Sequence, residues 1–315
     1  MVLPAQPFQI APASSDASFR RYFRIEASGR TYVAMDAPPP HEDCRPFVRI
    51  ARAFHAIGVN VPEVLHSDVD NGFLLLTDFG TALYLGRLND DTADGLYGDA
   101  IDSLLVLQRG ADPSALTLPP YDLALLWREM ELFREWFMGR HLGIAVSDGL
   151  AKLLDDVFTG LAKEALAQPV TWVHRDYHSR NLMMTPRNNP GVLDFQDAVV
   201  GPVTYDLVSL LKDCYISWPR QRVEQWVGQF YESWRPGHPG VSREQFLRWF
   251  DLMGVQRHLK AIGIFARLNW RDGKPGYLAD IPRTLSYVLD ALPRYGLFPE
   301  FTKYLEQEVV PRLTK

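Results

Sequence analysis

The chain has 315 residues, with 33 Lys and Arg against 38 Asp and Glu, a formal net charge of −5, and 47% hydrophobic to 23% charged residues. That is an ordinary soluble composition, long enough for two domains or lobes, and its acidic balance excludes non-specific nucleic-acid binding, which needs a basic surface. No apolar run approaches the roughly 18 residues that span a bilayer, and Cys44 and Cys214 alone cannot build a disulfide framework or a cysteine metal site.

The first seven residues lack a basic stretch leading into an apolar one, so a cytoplasmic location is the expectation. From Phe8 to about Phe79 the pattern is mostly strand with one helix. Residues 18–25 are aromatic-rich, 27–30 form a turn, and 31–35 return as the second strand of a hairpin. Asp36-Ala37-Pro38-Pro39-Pro40 cannot continue a ladder and must connect. A helix follows, with Asp43 as N-cap and Pro46 in the first turn. Phe47, Ile50, Ala51, Phe54 and Ile57 lie on one face, and Gly58 stops it. Residues 59–65 and 72–77 bring two more strands. Beyond Gly80 the periodicity turns helical, at about 100–108, 123–138, 150–167, 203–215, 221–234, 242–267, 281–295 and 298–313. Hairpin, helix and two strands, then helices, is the order of the protein-kinase-like fold. An α+β, two-lobe architecture is therefore expected: a small, mainly β, nucleotide-covering N-lobe (1–79) and a large, mainly α C-lobe (80–315) with the catalytic loop and acceptor site. The hinge should fall near Thr77-Asp78-Phe79-Gly80.

One stretch carries the chemistry. His174-Arg175-Asp176-Tyr177-His178-Ser179-Arg180-Asn181 reads H-R-D-x-x-x-x-N, and thirteen residues after Asn181 the apolar run Val192-Leu193 ends in Asp194-Phe195. Phosphoryl transfer from a magnesium nucleotide needs this set: one carboxylate to orient the acceptor hydroxyl and take its proton, an amide oxygen and a second carboxylate to hold the metal. Asp176 is expected to be catalytic, Asn181 and Asp194 to be metal ligands, and ATP and Mg²⁺ to be the cofactors. An earlier Asp78-Phe79-Gly80 spells a kinase metal motif but precedes the catalytic loop, so it reads as a strand end turning at glycine. At such a hinge the backbone of Thr77 and Phe79 would face adenine.

Asp206 comes only twelve positions after Asp194 and already opens an apolar helix. A regulatory activation loop and A-P-E segment do not fit there, so a small-molecule acceptor is expected rather than a protein. Asp206 reads either as a helix N-cap or as a buried brace of the catalytic loop. The first lysine is Lys152, so the small lobe cannot place the usual strand lysine on the phosphates. Taking Val33-Ala34-Met35-Asp36 in that register puts Asp36 in the lysine's place, and an arginine must then intervene or Asp36 must point away. The small polar run 13–18 reads as a phosphate-covering loop without glycine, in which backbone amides and the hydroxyls of Ser14, Ser15 and Ser18 could reach phosphate; beside it, one of Arg20 and Arg21 is expected to contact phosphate. The alternative is a solvated hairpin edge.

These motifs resemble the aminoglycoside phosphotransferase/choline-kinase superfamily, which shares H-x-D-x-x-x-x-N, a short spacer and an aspartate run such as Leu193-Asp194-Phe195-Gln196-Asp197. A closer likeness is to bacterial anomeric sugar kinases acting on N-acetylmuramate and N-acetylglucosamine in peptidoglycan recycling. It is carried by residues 16–24, Met35-Asp36-Ala37-Pro38-Pro39-Pro40, 192–215 and 263–277, which sample nearly the whole chain. The resemblance implies an ATP-dependent kinase forming a sugar 1-phosphate, with no obligate protein partner. His178 then reads as a substrate contact or a loop brace, and Asp197 as a sugar ligand or a turn cap. Arg267, Asn269 and Arg271 read as partners of a lactyl carboxylate or as a solvated helix end. Two other readings remain. A choline or aminoglycoside acceptor could use Glu129, Glu131, Glu135 and Trp136, and a pseudokinase scaffold is suggested by the missing lysine.

Overall fold

Ser28 and Gly29 take positive φ of 53° and 71°, the two-residue turn whose twist matches a strand pair. The computed structural model, which describes residues 8–14, 20–112 and 114–313, accordingly opens on a hairpin. In chain order the elements are β1 (Gln9–Ser14), β2 (Arg21–Ala27), β3 (Arg30–Asp36), α1 (Arg45–Ala56), β4 (Val64–Asp68), β5 (Phe73–Thr77) and α2 (Ala93–Arg109). Next come α3 (Leu123–Leu132), which runs on as a π-helical stretch Phe133–His141, then α4 (Asp148–Leu166), β6 (Val170–Val173), β7 (Leu182–Met183), β8 (Gly191–Val192) and β9 (Val199–Pro202). The chain closes with α5 (Tyr205–Leu211), α6 (Arg220–Trp234), α7 (Arg243–Asp272), α8 (Ile281–Arg294), α9 (Pro299–Tyr304), a second π-helical stretch and α10 (Val310–Leu313). No described helix is long and apolar enough to cross a membrane.

The chain divides into two compact units, Met1–Leu118 with His174–Ala198, and Pro119–Val173 with Val199–Lys315. The first unit holds a five-stranded antiparallel sheet in the order β1-β2-β3-β5-β4. Along β5, Leu74 and Leu76 are buried while Phe73 is exposed, the period of two expected of a sheet with one covered face. Met35 of β3 and Phe47, Ile50, Ala51 and Phe54 of α1 complete that core.

Three local expectations are corrected here. Cys44, not Asp43, occupies the cap position of α1, although the Asp43 carboxylate does accept from Arg45 N at 3.0 Å. Residues 59–63 are not strand; β4 starts at Val64. Pro62 has no N–H for a ladder, and the Asn60 carbonyl is taken by Val192 N at 2.7 Å. Residues 13 and 14, read as part of a phosphate-covering loop, end β1 across a bulge. Ser15 and Ser18 lie outside the described residues, and for Ser14 only the backbone is described.

The second unit is helical apart from β6 and β9, which pair antiparallel from Val170↔Pro202 to Val173↔Val199. These two strands bracket residues 174–198 in the chain. Its long element, α7, packs on α3 so closely that a Cβ on Gly263 would sit 2.3 Å from the Leu132 backbone carbon. Only glycine fits there. Asp206 is fully buried in the first turn of α5, while Thr204 holds the cap position, so the N-cap reading of Asp206 is wrong.

Candidate active site

The spacing between Asn181 and Asp194 is a hairpin. Leu182 pairs with Val192 and Met183 with Gly191, so the residues just before β7 and just after β8 come together at its open end. Leu193 N donates to Asn181 O at 2.9 Å to close it. The amide nitrogen of Asn181 then donates to Asp176 O (2.9 Å) and to Asp194 Oδ2 (3.3 Å). With its two hydrogens facing those acceptors, the Asn181 side chain keeps its oxygen for a cation. Gln196 grips the other side of the same carboxylate, Nε2 to Asp194 Oδ1 at 2.7 Å.

Behind these groups His174 is a full-depth brace. It accepts from Asp176 N at Nδ1 (3.2 Å), which leaves the proton on Nε2 to donate to Leu193 O (2.9 Å). One neutral imidazole thus ties the Asp176 backbone to the strand end carrying Asp194. Burial drives its pKa from 6.5 to about 4, against the raising pull of Asp176 and the Leu193 bond. Arg175 and Asp194 both adopt positive φ, 77° and 64°. Non-glycine residues hold that conformation at a cost of about 1–3 kcal/mol each, and such strain gathers at functional sites. Two anchors hold it. Tyr177 is buried with its hydroxyl on Ala100 O (2.8 Å), and Phe195 packs its ring 4.7 Å from Phe47 and 6.0 Å from Phe54 on α1.

The hinge expectation concerns Thr77, Asp78 and Phe79. Asp78 is saturated: Arg24 of β2 donates Nε at 2.7 Å and Nη2 at 3.1 Å, and Gly80 N donates at 2.9 Å. Burial pushes its carboxyl up, but these bonds outweigh burial and hold it below the ordinary range. The early D-F-G is therefore a structural clamp. Thr77 uses its hydroxyl to accept from Glu63 N at 2.9 Å. Phe79 lies against the β7–β8 hairpin, so closely that a Cβ on Gly191 would meet its ring at 2.6 Å.

The two arginines separate in role. Arg21, with a side chain 64% exposed, pairs with Asp36 opposite it in the β2–β3 ladder. This resolves the reversed charge at the strand-lysine register: an arginine intervenes. Arg20 is half-buried, ion-paired with Glu42 at 3.0 Å. Burial favours its neutral form, but Tyr22, Glu42, Asp197 and Asp194 together keep the guanidinium more firmly charged than usual. Arg20 therefore stands within electrostatic reach of the metal-ligand candidate. Arg24, Glu42, Gln196 and the bracing role of His174 escaped sequence reasoning. Only Gln196, two residues after Asp194, carried a local signal.

Of the acceptor candidates, His178 is half-buried and Asp197 exposed in the first unit, with Arg175 Nη1 on Asp197 O at 3.3 Å. Arg267, Asn269 and Arg271 belong to the second unit, on the last turns of α7. Arg271 is exposed and bound to Asp272 by bonds of 2.8 and 3.0 Å. Burial and the nearby Arg271 charge lower the Arg267 pKa. Two of the three carboxylates offered for a cationic acceptor are already engaged: Glu129 with Lys260 at 2.9 Å and with Tyr121, Glu131 with Arg134 at 3.4 Å. Arg140 covers the Trp136 ring at 4.6 Å.

Among the described residues, no three His, Cys, Asp or Glu side chains gather to hold a metal by themselves. The donor set of Asn181 oxygen and Asp194 carboxylate fits Mg²⁺ nonetheless, because that ion takes one or two protein oxygens and fills the rest with phosphates and waters. The sheet, the bracketed H-R-D loop and the metal-ligand hairpin define a phosphotransferase of the protein-kinase-like fold. The chain belongs to the phosphotransferase enzyme family (APH), whose model matches residues 9–245. It is 53% identical over 288 residues, covering 90% of this chain and 84% of the relative, to an N-acetylmuramate/N-acetylglucosamine kinase of Pseudomonas putida. A relative with the same name from Pseudomonas aeruginosa is 49% identical over 91% of this chain and 85% of its own length. Among solved structures, an ethanolamine kinase of Plasmodium vivax superposes with a TM-score of 0.65, covering 92% of this chain and 84% of that one, at 12% identity. That last likeness concerns the fold.

Proposed function

We propose that this protein is an ATP- and Mg²⁺-dependent kinase that phosphorylates the anomeric hydroxyl of N-acetylmuramate or N-acetylglucosamine, in the cytoplasm, as a step of cell-wall recycling. The observation that carries this reading is identity of 53% and 49%, across about nine-tenths of the chain, to two kinases of that name, with Asp176, Asn181 and Asp194 brought together around one hairpin. Residues 1–79 would cover the nucleotide and 80–315 would hold the catalytic loop and the acceptor.

In this mechanism Asp176 orients the C1 hydroxyl and receives its proton as that oxygen bonds the γ-phosphorus and the bond from phosphorus to the ADP oxygen breaks, releasing ADP. An anomeric hydroxyl is more acidic than an ordinary alcohol, so a plain carboxylate suffices. Mg²⁺, held by Asn181 and Asp194, supplies charge neutralisation on the phosphates. Arg20, steadied by Glu42, contributes the phosphate contact that the absent strand lysine would make, since a guanidinium offers planar paired donors to phosphate. The backbone of Thr77 and Phe79 meets adenine. His178, Asp197, Arg267, Asn269 and Arg271 are the sugar-side candidates.

The choline or aminoglycoside reading is weakened because Glu129 and Glu131 are paired with cations of this chain. The scaffold reading is weakened by two strained residues, Arg175 and Asp194, maintained at the catalytic loop. The test is ATP consumption with N-acetylmuramate, N-acetylglucosamine, kanamycin and choline, and with a C1-blocked methyl glycoside. Turnover of both amino sugars and none of the glycoside is expected; turnover of the glycoside refutes anomeric transfer.

A further inference from the structure

Gln196 stands where the protein-kinase D-F-G motif has a glycine, and it uses only half of its side chain. Its Nε2 donates to Asp194 Oδ1 at 2.7 Å. Its Oε1 is buried and makes no hydrogen bond, on a residue only 9% exposed. The facing carboxylate settles the amide's orientation, because a carboxylate accepts and the NH₂ must point at it. A buried amide oxygen with no donor costs about 1–3 kcal/mol. A solvated or apolar side chain would avoid that cost.

We propose that Gln196 is a positioning residue for the divalent cation. Its amide nitrogen aims Asp194, and its amide oxygen accepts from a water carried by the metal. The chemistry fits the ion, since Mg²⁺ gives up its waters reluctantly and keeps several of them when bound by few protein groups. Gln196 and Asn181 then act as two amides gripping opposite oxygens of one carboxylate, Oδ1 and Oδ2. Neither neutralises it. That arrangement orients the charge while leaving it for the cation, as outer-shell partners of metal ligands do.

The inference rests on Asp194 as a metal ligand, not on the identity of the sugar. Mn²⁺ binding to the full-length protein with ADP, followed by the electron paramagnetic resonance signal of free Mn²⁺, reads it directly. Gln196→Leu is expected to weaken Mn²⁺ about 10–100-fold, while ADP binding measured in a chelator stays as in the wild type. Unchanged Mn²⁺ affinity in the folded variant overturns the proposal. If Gln196→Leu does not fold, Gln196→Met carries the same test: it removes both amide atoms at similar length, Mn²⁺ affinity is expected to fall about 10–100-fold, and wild-type affinity overturns the proposal. Wild-type Mn²⁺ affinity in Asp194→Asn would overturn the metal assignment itself. The sugar assay fails or succeeds independently of all three.

Discussion

Two aspartates, one in each unit, show how the same side chain is treated for stability and for chemistry. Asp251 on α7 is fully buried and receives Lys212 Nζ at 2.7 Å, Arg220 at 2.6 and 2.7 Å, and the Tyr295 hydroxyl at 2.7 Å. Burial raises its pKa, yet those cations win and bring it to about 2. Asp194 is half-buried, sits at φ 64°, and is held by the amides of Gln196 and Asn181. Cations neutralise a carboxylate; amides only aim it. Asp251 is thus ringed by cations and a hydroxyl of its own unit, whereas each Asp194 oxygen is oriented by an amide.

The contrast can be broken first at the chemistry. Asp194→Asn and Asp176→Asn should each lower kcat by about 10²–10⁴-fold, with thermal unfolding nearly unmoved. Wild-type turnover in either would remove it from the site. Asp251→Ala should do the reverse. Leaving Lys212 and Arg220 buried against no partner costs about 3–5 kcal/mol, read as a lower urea midpoint, while KM for ATP in the folded fraction is kept.

His174 sharpens the comparison through pH. Unfolded, it takes a proton near pH 6.5; folded, it resists until about pH 4. Between those values the unfolded state binds more protons, so the stability is complete above about pH 6.5 and falls as pH drops toward 4, by about 3 kcal/mol. Urea midpoints from pH 7 to 4.5 should show that slope, and His174→Gln should flatten it. An unaltered slope would mean another group titrates. The smallest effect separates the arginines. Arg20→Ala should raise the KM for ATP about tenfold, or about 1.4 kcal/mol, and Arg21→Ala far less, because Arg21 is 64% exposed and spent on Asp36. Equal effects would return phosphate binding to the whole hairpin edge.

The hairpin of β2 and β3, the apolar face of α1 and the helical remainder were readable because each follows a local period or a turn residue. Failures came where a distant partner decides. Residues 59–63 look like strand, but Asn60 gives its carbonyl to Val192. Asp206 reads equally as a cap or a buried brace, and only the fold, which buries all of α5, excludes the first.

For the site, the sequence alone singles out Asp176, Asn181 and Asp194 as candidates, because phosphoryl transfer needs those groups at that spacing, and with no lysine before Lys152 it leaves the small lobe without the usual strand lysine. Only the tertiary structure decided that the spacing is a hairpin, that His174 ties Asp176 to its far strand, and that Arg20 is coupled to Asp194 while Arg21 is spent on Asp36. Glu42 and Asp36 settle the last of these across 22 and 15 residues of chain, as Arg24 settles the early D-F-G across 54. A charge finds its partner by distance in space, and the local pattern around either residue contains no record of it.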